Sequence, residues 1–205
     1  MNRHAIIDEN KETSKASEQP LATTGGPIPL ASPNRHRSER TVLNMAISDI
    51  GPTPNSFNLE TATTENTNYR TVAWTGEYLQ VTLMSIPVGE SIGLEMHSGT
   101  DQFLRLDAGT GKAQMGPSKD NLTFEQDVAD GWCILVPAGT WHNVTNTGDT
   151  PMRLYAIYAP VHHAPGNIHK TAADAAKDEA AGTDTPPTWT EQPSEVDTDQ
   201  HANNG

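Results

Sequence analysis

The middle of this chain is cut at close intervals by turn-forming residues, and that spacing leaves little room for anything but strands. Pro87-Val88-Gly89, Gly109-Thr110-Gly111, Gly116-Pro117, Asp130-Gly131 and Thr147-Gly148-Asp149 separate runs of about 6–10 residues. Within the runs, large and β-branched side chains alternate, as in Thr71-Val72-Ala73-Trp74 and Leu79 to Ile86. The pattern predicts an all-β sandwich or barrel. Only 34% of the residues are hydrophobic, so a core forms only where they are concentrated, and they are concentrated between Glu60 and Pro165.

Domain organisation follows from the same unevenness. Residues 1–40, with Thr-Thr-Gly-Gly-Pro-Ile-Pro at 23–29, read as a disordered leader, and residues 41–165 read as one β-barrel domain. The apolar segment Thr41 to Ile50 predicts a short strand or helix, broken by Gly51-Pro52-Thr53-Pro54. Residues 166–205 predict a short helix over Lys170 to Ala181, with Thr171 as N-cap ahead of Asp174, followed by an acidic disordered tail. Charge divides in the same way: 6 basic against 6 acidic residues in 1–59, 5 against 12 in 60–165, and 2 against 8 in 166–205. An acidic core and tail, at a net charge of −13, repel nucleic acid and anionic membrane surfaces, so neither is an expected partner.

A single cysteine, Cys133, has no internal partner and sits in an apolar run, which reads as a small buried side chain. No stretch approaches the about 18 apolar residues that span a bilayer, and the Met-Asn-Arg-His start is not followed by an apolar signal core. A cytoplasmic location is the expectation.

Two segments carry the chemistry. In the first, Glu95 and His97 stand two apart, so on a strand both side chains leave the same face. Ser98-Gly99-Thr100-Asp101 turns the chain, and a strand beginning at Gln102 with its side chain inward adds an amide to the carboxylate and imidazole. In the second, the apolar run from Gly131 enters a Pro137-Ala138-Gly139 turn and emerges at His142. Four donors converge if both segments line one pocket.

These segments resemble the two motifs of the cupin superfamily, G-x5-H-x-H-x3-4-E-x6-G and G-x5-P-x-G-x2-H-x3-N. Gly131, Pro137, Gly139, His142 and Asn146 fit the second at every fixed position. In the first, His97 and Gly109 fit, while Glu95 replaces the first histidine and Gln102 the glutamate. The resemblance covers residues 70–160 and is closer to small bacterial single-domain cupins described as mannose-6-phosphate isomerase-like, on Trp74-Thr75-Gly76, Leu83 to Pro87, Asp101-Gln102-Phe103, Pro137 to Asn143 and Tyr158-Ala159-Pro160. It implies a double-stranded β-helix (jelly-roll) barrel, a homodimer, and one divalent metal ion held by Glu95, His97, Gln102 and His142. Two imidazoles, a carboxylate and an amide suit iron, manganese, zinc or nickel.

The function expected is a metal-dependent enzyme of isomerase or dioxygenase type acting on a small oxygenated or sugar-like molecule, with Glu95 doubling as catalytic proton acceptor. The alternative is a non-catalytic module that binds a small ligand. Trp141 and Phe103 flank the ligands and read equally as pocket wall or as core and dimer contacts. His162 and His163, adjacent after Pro160, read as a solvated loop, and Arg105 falls on the outer face by alternation from Gln102.

Overall fold

Strands form where the alternation places them. The computed structural model describes residues 47–192. Nine strands and two short helices make up this part: α1 (Leu59–Glu65), β1 (Arg70–Thr75), β2 (Gln80–Ile86), β3 (Asp101–Ala108), β4 (Thr110–Gly116), β5 (Phe124–Ala129), β6 (Cys133–Val136), β7 (Trp141–Asn146), β8 (Met152–Ala159), β9 (Ile168–His169) and α2 (Ala172–Ala181). All named pairings are antiparallel, in a six-stranded sheet ordered β6-β3-β8-β2-β1-β9 and a three-stranded sheet ordered β5-β4-β7. Isolated bridges from Ser91 to Thr145 and from Glu95 to His142 lay the 91–95 segment along the free side of β7.

The core lies between the two sheets. Leu104 and Leu106 of β3, Met152 and Leu154 of β8 and Ile86 of β2 are fully buried there against Ala113, Val128 and Val144 of the smaller sheet. The larger sheet is covered on its other face as well: Ile47, Phe57, Leu59 and Ala62 pack on Leu83, Tyr155, Phe103 and Ile157. This is why β8 reads as a near-continuous apolar run while β7, covered on one face, alternates strictly. Truncating one of the central leucines, Leu104 for example, costs about 2–5 kcal/mol by the usual cavity penalty.

Two expectations are corrected outside the motifs, those for Cys133 and for the stretch after α2. Of the 41–50 segment only residues 47–50 are described, and these four form no regular element; a helix that the sequence pattern does not place follows at Leu59–Glu65, started by the Asn58 side chain accepting from Thr61 N at 3.0 Å. Cys133 is exposed, because β6 is an edge strand on which Ile134 and Val136 face inward while Cys133 and Leu135 face out. The stretch from Gly182 to Gln192, expected to be a mobile tail, packs back on the barrel through the buried Asp184 and Thr190. The predicted helix is present as α2, with Thr171 and Asp174 forming a reciprocal capping box. The leader at 1–40 and the end of the acidic tail lie outside the described residues.

The motif residue Asn146 is a latch. Its amide donates to the carbonyls of Ile86 and Thr150, both at 2.9 Å, and its oxygen accepts from Gly148 N at 2.9 Å, with only 1% of the residue exposed. Asn146→Ala therefore removes three backbone contacts, one of them fully buried and two partly buried, and is expected to cost about 2–3 kcal/mol. Urea unfolding checks this, with the slope unchanged and the midpoint lowered.

Candidate metal centre

Backbone geometry brings the two motif segments together before any side chain is considered. Glu95 N donates to His142 O at 3.0 Å and His142 N to Glu95 O at 2.9 Å, so the two residues face each other as a closed pair. Gly139 N donates to His97 O at 2.8 Å, and Ala138 N donates to the Asp101 carboxylate at 2.8 Å. The turn glycine has φ +77°, a left-handed conformation that disfavours a side chain, which explains the Pro-x-Gly pattern. Gly109, the closing glycine of the first motif, has φ +87°, and a Cβ there would lie 2.9 Å from the Cα of Met152.

The side chains then converge. Nε2 of His97 and Nε2 of His142 each lie 3.4 Å from the same Glu95 oxygen, Oε1, and one donor atom from each residue falls within 4.8 Å of the others. His142 Nδ1 lies 3.1 Å from Thr140 O, an acceptor that requires the ring proton at Nδ1 and turns the Nε2 lone pair toward the site. Both Nε2 atoms are buried without a hydrogen-bond partner among the described residues. Buried polar atoms left open are rare, and here they aim at one point beside a carboxylate, an arrangement fitted to a cation. Burial alone would raise the Glu95 carboxyl, but the contacts with His142 and His97 outweigh it and hold the group well below the usual carboxylate range.

Gln102 is buried on the barrel side of β3, and both its amide atoms lack partners. It neighbours Tyr158, whose hydroxyl is pushed upward chiefly by burial and then by the charge of Glu95. Beside Glu95 opens a cavity of about 640 Å³, walled by the 89–95 loop, Tyr69, Arg70 and the alanines of α2. Tyr69 donates from its hydroxyl to Ile92 O at 2.6 Å, and burial followed by the Glu95 charge pushes that hydroxyl up to about 12.

Other expectations about the surroundings change. Phe103 packs against Tyr155 under the 47–65 segment, and Trp141 alternates with His142 along β7, so neither faces the donors. Arg105 does lie on the outer face, 3.0 Å from Asp107. The correction with most consequence concerns His162 and His163. The segment after Pro160 is not a strand, so the opposite-faces rule fails, and both rings turn inward. His162 lies 4.0 Å from His97 between ring centroids and stacks on Tyr158; burial, helped by His97 and His163, pushes it down to about 3. His163 is 2% exposed and places Nδ1 2.9 Å from the Asp184 carboxylate, which also accepts from Arg70, Ala164 N and Asn167. The sequence signal was the His-His pair itself, read with the wrong local backbone.

This polar cluster has a pH signature. Burial lowers His163 from 6.5, so the stability it lends is complete above that pH and is lost as pH falls through the lower folded value. Burial opposes ionisation of Asp184, but His163, Ala164 N and Arg70 hold it below 3.8, giving a second loss at more acid pH. Melting temperatures are therefore expected to be level above about pH 7 and to fall in two stages on acidification. His162, also lowered by burial, contributes to the same first stage, so a His163→Gln variant is expected to show a smaller fall there than wild type; an unchanged first stage in that variant contradicts the assignment to His163.

Comparison with known proteins agrees with this geometry. A model of the cupin domain matches residues 82–158. The chain is 52% identical over 139 residues to the protein YrkC of Bacillus subtilis (strain 168), covering 68% of this chain and 75% of that one. It is 39% identical over 112 residues to the protein L612 of Acanthamoeba polyphaga mimivirus, covering 54% and 68%. The crystal structure of BH2720 from Bacillus halodurans shares 53% identity at a TM-score of 0.63, over 64% of this chain and 99% of that one. With the two motif segments joined at Glu95 and His142 and these relatives alongside, the chain belongs to the cupin superfamily.

Proposed function

We propose that this cupin holds one divalent cation through Glu95, His97, His142 and Gln102 and uses it on a small oxygenated or sugar-like molecule, in chemistry of isomerase or dioxygenase type. The observation that carries the reading is the pair of unpartnered imidazole nitrogens directed at one carboxylate oxygen. When bound, an ion of the iron, manganese, zinc or nickel class supplies Lewis acidity, and iron adds redox chemistry. The protein's own part is to orient and enclose. Of the four donors only Glu95 lines the neighbouring cavity, with Ser91, Thr145 and the alanines of α2 around it, and that cavity is the proposed space for a small polar molecule.

A second reading, a non-catalytic ligand-binding module, is favoured by one feature. Glu95, the expected proton acceptor, is held well below the usual carboxylate range by its contacts with His142 and His97, which makes it a weaker base than a free carboxylate. Calorimetric titration with each candidate ion, followed by dioxygen uptake and small-sugar isomerisation assays on the loaded protein, separates the cases. Ion binding with turnover supports the enzyme, ion binding with ligand affinity but no turnover supports the module, and no ion binding ends the metal reading. We further propose a cytoplasmic homodimer: the exposed, lone Cys133 suits a reducing compartment, and light scattering at about twice 22.1 kDa checks the dimer.

A further inference from the structure

The two histidines of the candidate centre are not held alike. His142 is fixed by its ring contact with Thr140 O at 3.1 Å, the carbonyl partner that a metal-ligating imidazole ordinarily has. The His97 ring has no hydrogen bond among the described residues, although its backbone carbonyl is tied down by Gly139. What surrounds it is a set of rings: His142 at 5.5 Å and Tyr158 at 5.8 Å, both edge-on, and His162 much nearer at 4.0 Å. His162 is therefore the nearest of the ring contacts that restrain the angle of the His97 ring.

His162 is held in turn from two sides. The buried amide of Gln80 on β2 grips the backbone of the turn, accepting from His163 N at 2.9 Å and donating to His163 O at 2.9 Å. Asp184, with its side chain fully buried, takes the His163 ring at 2.9 Å and Ala164 N at 2.9 Å. The turn is clamped between strand β2 and a segment that lies beyond the cupin-domain match at 82–158.

We propose that His162 is a positioning residue for His97, acting through ring packing, and that Asp184 transmits this constraint from the C-terminal segment. The inference rests on the metal reading above. Its content is specific: the aromatic ring of His162 matters and its nitrogens do not.

Cobalt(II) titration of the full chain, followed by visible absorption, tests it, with circular dichroism and thermal melts to confirm that each variant is folded. His162→Ala is expected to weaken cobalt binding about 10–100-fold, the loss typical of an outer-shell partner, and to change the ligand-field bands. His162→Phe restores a ring and is expected to stay within about threefold of wild type with the wild-type spectrum. If Phe loses as much as Ala, the nitrogen is the working part and the proposal is overturned; it is equally overturned if Ala binds as wild type does. Asp184→Asn is expected to weaken binding in the wild-type background and to add nothing in His162→Ala, as two residues on one route should. Equal losses in both backgrounds overturn the Asp184 route. Should wild type itself bind no cobalt, the metal reading fails, a result distinct from wild-type binding that His162→Ala leaves untouched.

Discussion

Protein loaded with manganese, iron(II), zinc or nickel and then dialysed is expected to retain about one ion per chain, and His97→Ala or His142→Ala is expected to retain none. The expected loss in affinity is at least about 100-fold for either variant, since removal of a ligand exceeds the 10–100-fold lost with an outer-shell partner. Plasma mass spectrometry on untagged protein measures it. The reason lies in the geometry: each Nε2 sits 3.4 Å from Glu95 Oε1, so deleting one imidazole leaves a carboxylate facing a single nitrogen. Gln102→Leu gives a sharper contrast. Both amide atoms of Gln102 are buried without partners, so the leucine variant should melt higher in the metal-free state while holding the ion about tenfold more weakly. Retention of the ion in all three variants would place it elsewhere and sink the assignment.

The second large effect is structural. Arg70, its side chain 4% exposed, lies 2.8 Å from the fully buried Asp184 and 2.9 Å from the half-exposed Glu179. Arg70→Met leaves Asp184 as a buried charge without its cation, a change that costs about 3–5 kcal/mol, or a fall in melting temperature on the order of 10 °C for a chain of this size. Adding Asp184→Asn should recover part of that loss, because a neutral amide needs no counter-charge. A loss under about 1 kcal/mol in the single variant would show that Arg70 does not hold the C-terminal segment.

The donors were legible because their information is local. The two-residue spacing of Glu95 and His97 was the signal, although the segment forms no strand and only Glu95 is paired, in an isolated bridge to His142; the Pro137-Ala138-Gly139 turn announces His142. The all-β architecture was legible from turn spacing, and α2 from its capping box. The roles of His162 and Asp184 were not, since they arise from contacts between His163, Arg70 and Asp184 that span up to 114 residues and leave no periodic trace. Cys133 was misplaced because an apolar run on an edge strand looks the same in sequence as one buried on both faces. Helix α1 was missed because Leu59-Glu60-Thr61-Ala62-Thr63-Thr64-Glu65 is rich in threonine, a weak helix former, and its apolar positions gain their worth only on the sheet beneath.

The sheet order β6-β3-β8-β2-β1-β9 bears on how the molecule is made. Apart from β1 with β2, each neighbouring pair joins strands distant in the chain, so most backbone pairing follows the closure of long loops. Such topologies fold slowly, on the order of milliseconds to seconds, and keep their strand edges exposed meanwhile. The cation donors belong to this late class, because Glu95 meets His142 across 47 residues by sequence number. The candidate cation site is therefore a product of long-range pairing, and the two donor segments share one pocket only once the chain has been made at least as far as His142 and β7 has paired.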